Sequence, residues 1–261
     1  MEQPGSAPRT VKTVESWRIA TTGDDEPVER TPFQLAREAR VTLNVVDVAV
    51  YTIMCTPMDL EPLALGFLHA AGMIQDADAI ESIALSDAQP YLLDIRFRNP
   101  GTFAAPSRHI AEPLLGALPP VESTLRVPRS RLPDMVQALR DHQRIYPQSG
   151  GTHAAAVFDA EGNVVAFAED VGRHNALDKA VGTCLLAHRA TAGCSVAMSG
   201  RVSLEMVMKC ARAKIQLISA VSAPTSLAVE AADQWGITLC GIVRDDRATV
   251  FTHPERILGL T

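Results

Sequence analysis

The second half of the chain alternates short apolar runs, rich in β-branched residues, with segments of helical periodicity, and this alternation restricts the folds open to it. Residues 153–158 and 163–168 predict two strands around Asp159-Ala160-Glu161-Gly162, whose glycine suits a hairpin turn. A hairpin followed by three α/β units predicts an α/β fold, a mixed sheet with flanking helices on both faces. The predicted helices cover residues 173–188, 203–214 and 225–235, and the strands that follow them cover 195–199, 216–221, 238–243 and 248–252.

The first half is organised differently. Residues 1–30 are polar and irregular and predict a flexible arm, whereas residues 31–131 predict a smaller N-terminal α+β part. Thr56-Pro57 is typical of a helix start, with the threonine as cap and the proline in the first turn. Residues 99–131 contain six prolines and predict a long loop with one short helix near 110–117. A helix over 133–146 then opens the α/β part, residues 132–261.

Composition excludes several classes of protein. The net charge is −6 and aromatic residues are 5%, so neither a basic nucleic-acid-binding face nor a series of base-stacking platforms is expected. The longest apolar stretch, Val41 to Cys55, is interrupted by Asn44 and Asp47, which excludes a membrane span. Met1 to Ser6 does not resemble a signal peptide, and no two of the five cysteines form a Cys-x-x-Cys pair. We therefore expect reduced thiols, no metal site and a cytoplasmic protein.

Polar residues are concentrated where predicted strands end, which is where open α/β sheets bind ligands. The clusters are 149–153, 169–175, 199–205, 222–226 and 244–247. A turn explains the first, helix capping the fourth and a charged hairpin the fifth. Function is the better explanation for 169–175, because a helix N-terminus binds anions and Arg173 adds a guanidinium that suits phosphate. In the third cluster, 199–205, helix capping does not explain Arg201.

Several of these runs together resemble the FdhD/NarQ family of formate dehydrogenase accessory proteins. The longest are Glu169-Asp170-Val171-Gly172-Arg173-His174-Asn175-Ala176-Leu177-Asp178-Lys179 and Ser199-Gly200-Arg201-Val202-Ser203-Leu204-Glu205-Met206-Val207-Met208-Lys209. Shorter matches are Gly150-Gly151-Thr152-His153, Ser222-Ala223-Pro224-Thr225-Ser226 and the tail from Ala248 to Arg256. The resemblance covers residues 40–97 and 130–258, and the conserved order of long runs makes it specific.

The resemblance implies a cytidine-deaminase-like fold and a cytoplasmic homodimer that helps to mature formate dehydrogenase or a related molybdoenzyme. Members of the family take sulfur from a cysteine desulfurase as a persulfide and pass it to the molybdenum of the bis(molybdopterin guanine dinucleotide) cofactor, which they bind as cargo. The family's cofactor-binding stretch falls on Ile242, Val243, Arg244, Asp245, Asp246 and Arg247. Arg173, His174 and Arg201 are the expected anion partners of the same cargo.

Two departures from the family pattern matter. Family members that carry sulfur have a Cys-Gly-x-Cys-Gly loop where this chain has residues 99–131, and that segment contains no cysteine. Because a persulfide carrier needs a thiolate, the resemblance leaves no catalytic residue to assign. The second departure is Asp245-Asp246, where the family commonly has a glycine before the arginine. Two carboxylates beside a diphosphate weaken its binding unless they contact the guanine or face away.

Three functions follow from these residues. The first is an accessory protein that binds the cofactor without persulfide transfer. The second is an active sulfurtransferase with a relocated thiol, for which Cys55 is the best candidate because a helix start nearby would lower its pKa. The third, a zinc deaminase on the same fold, requires a Pro-Cys-x-x-Cys ligand motif that the chain lacks.

Overall fold

A computed structural model describes residues 10–22, 28–86, 89–99 and 118–260. The helix expected near 110–117 lies outside these residues. The strands are β1 Val11–Arg18, β2 Glu29–Ala36, β3 Ala39–Val45, β4 Ala49–Cys55, β5 Ile80–Leu85, β6 Leu92–Phe97, β7 Val127–Pro128, β8 His153–Phe158, β9 Val164–Asp170, β10 Ser195–Met198, β11 Leu217–Ala220, β12 Thr238–Gly241, β13 Thr249–Thr252 and β14 Ile257–Leu258. The helices are α1 Leu60–Ala70, α2 Arg131–His142, α3 Tyr146–Ser149, α4 Arg173–Leu186, α5 Leu204–Arg212 and α6 Ser226–Gln234, with short 3-10 turns at Ala77–Ala79 and Pro254–Arg256.

The central sheet has six strands in the order β13-β12-β11-β10-β8-β9. Strands β10, β11 and β12 are parallel, while the hairpin β8–β9 and the edge strand β13 run antiparallel to their neighbours. The predicted mixed sheet is therefore confirmed, and its turn at Gly162 has the positive φ of 87° that favours glycine. Strand β8 begins and ends at the predicted residues.

Helices cover both faces of this sheet, as predicted. One face packs against α4, α5 and α6 in a core that includes Val157, Val196, Leu177 and the fully buried Trp235. The opposite face packs against α2 through residues such as Met135. Small residues dominate β8, which lets helices on both sides approach the sheet closely.

The N-terminal part has a core of its own. Strands β4-β3-β6-β5 form a sheet that covers one side of α1, and α1 packs its other side against α4. Two glycines make this helix crossing possible. A Cβ added to Gly66 would lie 1.8 Å from the carbonyl oxygen of Asp178, and one added to Gly182 would lie 1.8 Å from that of Pro62. The four-stranded sheet, α1, α4 and the central sheet thus form successive layers.

Three predictions about local structure are wrong. Residues 1–30 are not wholly an irregular arm, because β1 pairs with β2 in a two-stranded ribbon with Val11 opposite Ala36. Both faces of that ribbon are largely exposed, so its sequence lacks the polar–apolar alternation that marks a half-buried strand. Helix α1 begins at Leu60, not near Pro57, and the helix predicted over 133–146 instead spans Arg131–His142.

No helix among the described residues is long and apolar enough to cross a membrane. Within the same residues, no group of three or more histidine, cysteine, aspartate or glutamate side chains is placed to bind a metal ion.

Candidate functional site

The predicted clusters meet at one edge of the central sheet. Because β9, β10, β11 and β12 run in the same direction, their C-terminal ends lie at one edge together with the start of β8. The segments after these ends contain Arg173, Arg201 and Arg244, the three arginines that the sequence predicts to lie together. We refer to this region as the strand-end edge.

Glu169, the last residue but one of β9, has a structural role. Its buried carboxylate accepts hydrogen bonds from the backbone N–H groups of Arg144, Ile145 and Tyr146 at 2.6–3.0 Å, and from the hydroxyl of Thr152 at 2.6 Å. The carboxylate therefore fixes the segment between α2 and β8 and does not neutralise Arg173.

Asp170 is also structural. It accepts hydrogen bonds from Lys179 at 2.7 Å, from the backbone N–H of Thr56 at 3.0 Å and from the Asn175 side chain at 2.9 Å. Lys179 in turn donates to the Thr56 carbonyl at 2.9 Å. Since Thr56 lies between β4 and α1, this network joins the N-terminal layers to the start of α4. It accounts for two of the polar residues that the sequence assigns to the 169–175 cluster, Asp170 and Asn175.

Arg173 and His153 remain available at the strand-end edge. Both lie against Gly200, where an added Cβ would be 3.2 Å from the Arg173 Cδ and 3.2 Å from the His153 Nδ1. The Nε of Arg173 is shielded from solvent and has no hydrogen-bond partner among the described residues. Burial and the charge of Arg173 lower the pKa of His153. The absence of a side chain at Gly200 allows the arginine and the histidine to approach each other.

His174 lies beside them, with Ser203 and Glu205 at its Nε2 at 3.5 and 3.6 Å. A Ser-His-acid triad needs the serine and the carboxylate on opposite ring nitrogens, so this group does not activate a serine nucleophile. Glu205 is also 3.6 Å from Lys209, which donates to the buried Asp178 at 2.6 Å. Burial lowers the pKa of His174 although Glu205 opposes this effect.

Arg201 is exposed at the start of the connection from β10 to α5. Its neighbour Val202 is buried and forms an isolated bridge to Pro224, which fixes the course of this connection beside the one after β11. The backbone that bears Arg201 is therefore held in place by Val202.

The predicted cofactor-binding stretch is the turn between β12 and β13, residues 242–247, which we call the arginine turn. Arg244 donates to the carbonyls of Val221 and Val243 at 2.6 and 2.8 Å, and its N–H donates to the Arg247 carbonyl at 2.7 Å. Arg244 thus holds the turn through one of its terminal nitrogens. Ile242 has a φ of 54°, a strained conformation for a β-branched residue and one typical of functional sites. The Ile242 side chain is partly exposed, while Val243 is buried in the core.

The two aspartates of the arginine turn are paired with arginines. The Asp245 carboxylate lies 3.7 Å from Arg140 on α2, and the Asp246 carboxylate lies 3.5 Å from Arg247. All four side chains are about half or more exposed, so these pairs are weak and a stronger anion can displace them. Asp245 is directed toward α2, which reduces its repulsion of an anion bound by the turn.

All five cysteines are buried and unpaired: Cys55, Cys184, Cys194, Cys210 and Cys240. Burial raises the pKa of each thiol, to about 12 for Cys55, Cys184 and Cys240. The expected effect of a helix start on Cys55 is wrong. The helix begins five residues later, and burial together with the nearby Asp170 carboxylate raises this pKa.

The sequence predicts the strand-end edge but places His153 only in a turn. Its contact with Ser199 joins residues that are 46 positions apart and leaves no local pattern. The sequence signals for it are the adjacent glycines Gly150 and Gly151 just before the strand and the family match of Gly150-Gly151-Thr152-His153.

The chain is similar to several known proteins. Residues 36–258 match the FdhD/NarQ family. A protein named "Sulfur carrier protein FdhD" from Xanthomonas campestris pv. campestris is 37% identical over 273 residues, which covers 98% of this chain and 93% of that protein. One of the same name from Bordetella petrii is 37% identical over 243 residues, covering 86% of each.

A solved structure described as a putative formate dehydrogenase accessory protein from Desulfotalea psychrophila has a similar fold. It superimposes with a TM-score of 0.81 at 27% identity, covering 96% of this chain and all of the other.

Proposed function

Because the chain belongs to the FdhD/NarQ family, we propose that it is an accessory protein for formate dehydrogenase maturation that binds the molybdenum bis(molybdopterin guanine dinucleotide) cofactor as cargo without transferring a persulfide. Relatives named as sulfur carriers and as a formate dehydrogenase accessory protein support the general role. The observation that carries the proposal is the combination of a cationic strand-end edge with five buried thiols.

The arginine turn suits a guanine nucleotide arm of the cargo. Arg247 is exposed and opposed only by the exposed Asp246 among the described side chains, so its guanidinium is accessible to a diphosphate. The half-exposed Ile242 offers an apolar surface for a base. Arg201 adds positive charge to the same edge. The molybdenum belongs to the cargo, and the residues of this chain bind and orient that cargo.

Persulfide transfer has no suitable nucleophile. Sulfur transfer requires a thiolate that reaches both the sulfur donor and the metal. Residues 99–131 contain no cysteine, and the five thiols elsewhere are buried with raised pKa values. The alternative function, a sulfurtransferase acting through Cys55 with a cysteine desulfurase as donor, has less support because that side chain is fully buried.

Two further features belong to the same proposal. A cytidine-deaminase-like fold is supported by the hairpin and the three α/β units of the central sheet. A cytoplasmic location is supported by five cysteines without a disulfide.

Titration calorimetry with guanosine diphosphate tests the nucleotide site. Loss of one charge-assisted hydrogen bond costs about 1.5–3 kcal/mol, so Arg247→Ala should weaken binding about ten- to a hundredfold. Arg96→Gln, which changes an exposed arginine on β6, is the control and should bind as the parent does. Failure of the parent to bind the nucleotide would contradict the proposed cargo.

The maturation role needs a separate measurement. Formate dehydrogenase expressed in cells lacking their own accessory protein should gain activity when this chain is supplied, and less when it carries Arg247→Ala. Equal enzyme activity with and without this chain would contradict the role.

A further inference from the structure

Arg173 has a charge that the described part of the protein does not neutralise. The two carboxylates that precede it in the same cluster, Glu169 and Asp170, accept hydrogen bonds from other groups. Its Nε has no acceptor among the described residues, and none of their carboxylates forms an ion pair with its guanidinium. A half-buried guanidinium without a carboxylate favours an anion from outside the chain.

His153 presents a second donor at the same place. The hydroxyl oxygen of Ser199 already accepts a hydrogen bond from the backbone N–H of Ala154 at 2.9 Å. The hydroxyl of Ser199 keeps its hydrogen to donate, and the His153 Nδ1 lies 3.2 Å from its oxygen. In the tautomer in which Ser199 donates to Nδ1, the proton lies on Nε2 and a neutral His153 offers that N–H. No described residue accepts a hydrogen bond from that Nε2.

Gly200 lies between the two side chains. A Cβ there would be 3.2 Å from the Arg173 Cδ and 3.2 Å from the His153 Nδ1, closer than ordinary van der Waals contact. The glycine thus permits both the packing of Arg173 against His153 and the approach of a ligand to the backbone.

We propose that Arg173 and His153, held together over Gly200, form an oxyanion subsite that binds a phosphate group of the nucleotide diphosphate. This inference rests on the proposed function and deepens it by adding His153 and by assigning Arg173 a particular part of the cargo. The guanidinium supplies charge and a planar donor pair, and the imidazole supplies one N–H. His174, whose Nε2 faces Ser203 and Glu205, lies outside the subsite.

Inorganic pyrophosphate tests the subsite without a nucleotide. Arg173→Gln should weaken its binding at least tenfold in calorimetry, and His153→Phe should weaken it several-fold. His153→Gln retains an N–H near the position of Nε2 and should bind within about twofold of the parent. Gly200→Ala changes no charge but presses on the Arg173 and His153 side chains, so it should also reduce affinity. Arg96→Gln is the matched control, and thermal unfolding confirms that each variant is folded.

Several outcomes would overturn the subsite. They are the absence of pyrophosphate binding by the parent, equal binding by Arg173→Gln, and an equal loss in Arg96→Gln. Pyrophosphate should also compete with guanosine diphosphate, and simultaneous binding of the two would overturn the assignment to the nucleotide diphosphate. A separate result would contradict the proposed nucleotide site. It is a parent protein that binds pyrophosphate but binds guanosine diphosphate no more tightly.

Discussion

Lys179 and Asp170 form an ion pair of 2.7 Å in which both side chains are fully withdrawn from solvent. The pair connects α4 to the end of β9, and both of its members also bind the backbone of Thr56. The N-terminal layers are thus attached to the strand-end edge through charged groups as well as apolar packing, and stability and site geometry depend on the same residues.

Removing one partner of this pair should destabilise the protein strongly. Asp170→Asn leaves the Lys179 ammonium buried with the Thr56 carbonyl and places an amide opposite a backbone N–H. We expect a loss of about 3–5 kcal/mol in the free energy of unfolding, measured by chemical denaturation. Glu15→Gln is the control, because it breaks an exposed pair with Arg30 and should cost less than about 1 kcal/mol. Similar losses in the two variants would contradict this interpretation.

The crossing of α1 and α4 should tolerate no side chain at Gly66. The new Cβ of Gly66→Ala would lie 1.8 Å from the Asp178 carbonyl oxygen, so the helices must separate. The overpacking outweighs the better helix propensity of alanine, and we expect a loss of about 3 kcal/mol or more. Gly151→Ala, whose Cβ would meet Ala36 at 3.4 Å, should change stability by less than about 1 kcal/mol. A folded Gly66→Ala variant of parental stability would show that the crossing is looser than described.

Local patterns were sufficient to predict the central sheet. Apolar periodicity predicts the end of α4 within two residues of the observed end, Leu186. The glycine of 159–162 predicts the hairpin turn. The same patterns placed the polar clusters at strand ends, so the strand-end edge followed from topology. The ribbon β1–β2 was missed because both of its faces are exposed and leave little periodicity to detect.

The division between structural and available polar residues was not predictable. Glu169 and Asp170 look like site residues in the sequence, yet Asp170 binds Thr56, which is 114 positions away. Thr56 looks like a helix cap but accepts a hydrogen bond from Val171 instead. Only tertiary contacts reveal that such groups are already satisfied and that Arg173 is not.

Stability should fall as the pH falls between about 6.5 and 4, in part because of His69. Burial, and next the charge of Arg212, lowers the pKa of His69 from 6.5 to about 4. The unfolded chain therefore binds a proton in this window that the folded protein does not, which favours unfolding. The stabilisation from the neutral, buried His69 is fully present above the pKa of the unfolded chain. It amounts to at most about 3 kcal/mol in the free energy of unfolding. His69→Leu should flatten the dependence of unfolding free energy on pH from 6.5 to 4, and an unchanged slope would contradict the assignment.

Thiol reactivity separates the proposed cofactor-binding function from the alternative sulfurtransferase function. At neutral pH a thiol with a pKa of about 12 has about a thousandth of the thiolate of an ordinary cysteine. All five thiols are also out of solvent. We therefore expect a thiol-specific reagent to modify none of them rapidly in the native protein and all five after denaturation.

Incubation with a cysteine desulfurase and sulfur-labelled cysteine applies the same reasoning to the reaction itself. Mass spectrometry should detect no persulfide on the native chain. A relative that has the Cys-Gly-x-Cys-Gly loop, treated in parallel, should carry the label. Cys55→Ser is the informative variant, because Cys55 is the best alternative carrier in the sequence. Label that appears on Cys55 and disappears in Cys55→Ser would contradict the proposed loss of sulfur transfer, since burial at 0% exposure would then be relieved during the reaction. Retained guanosine diphosphate binding without label would instead identify cofactor binding as the part of the family's function that this chain keeps.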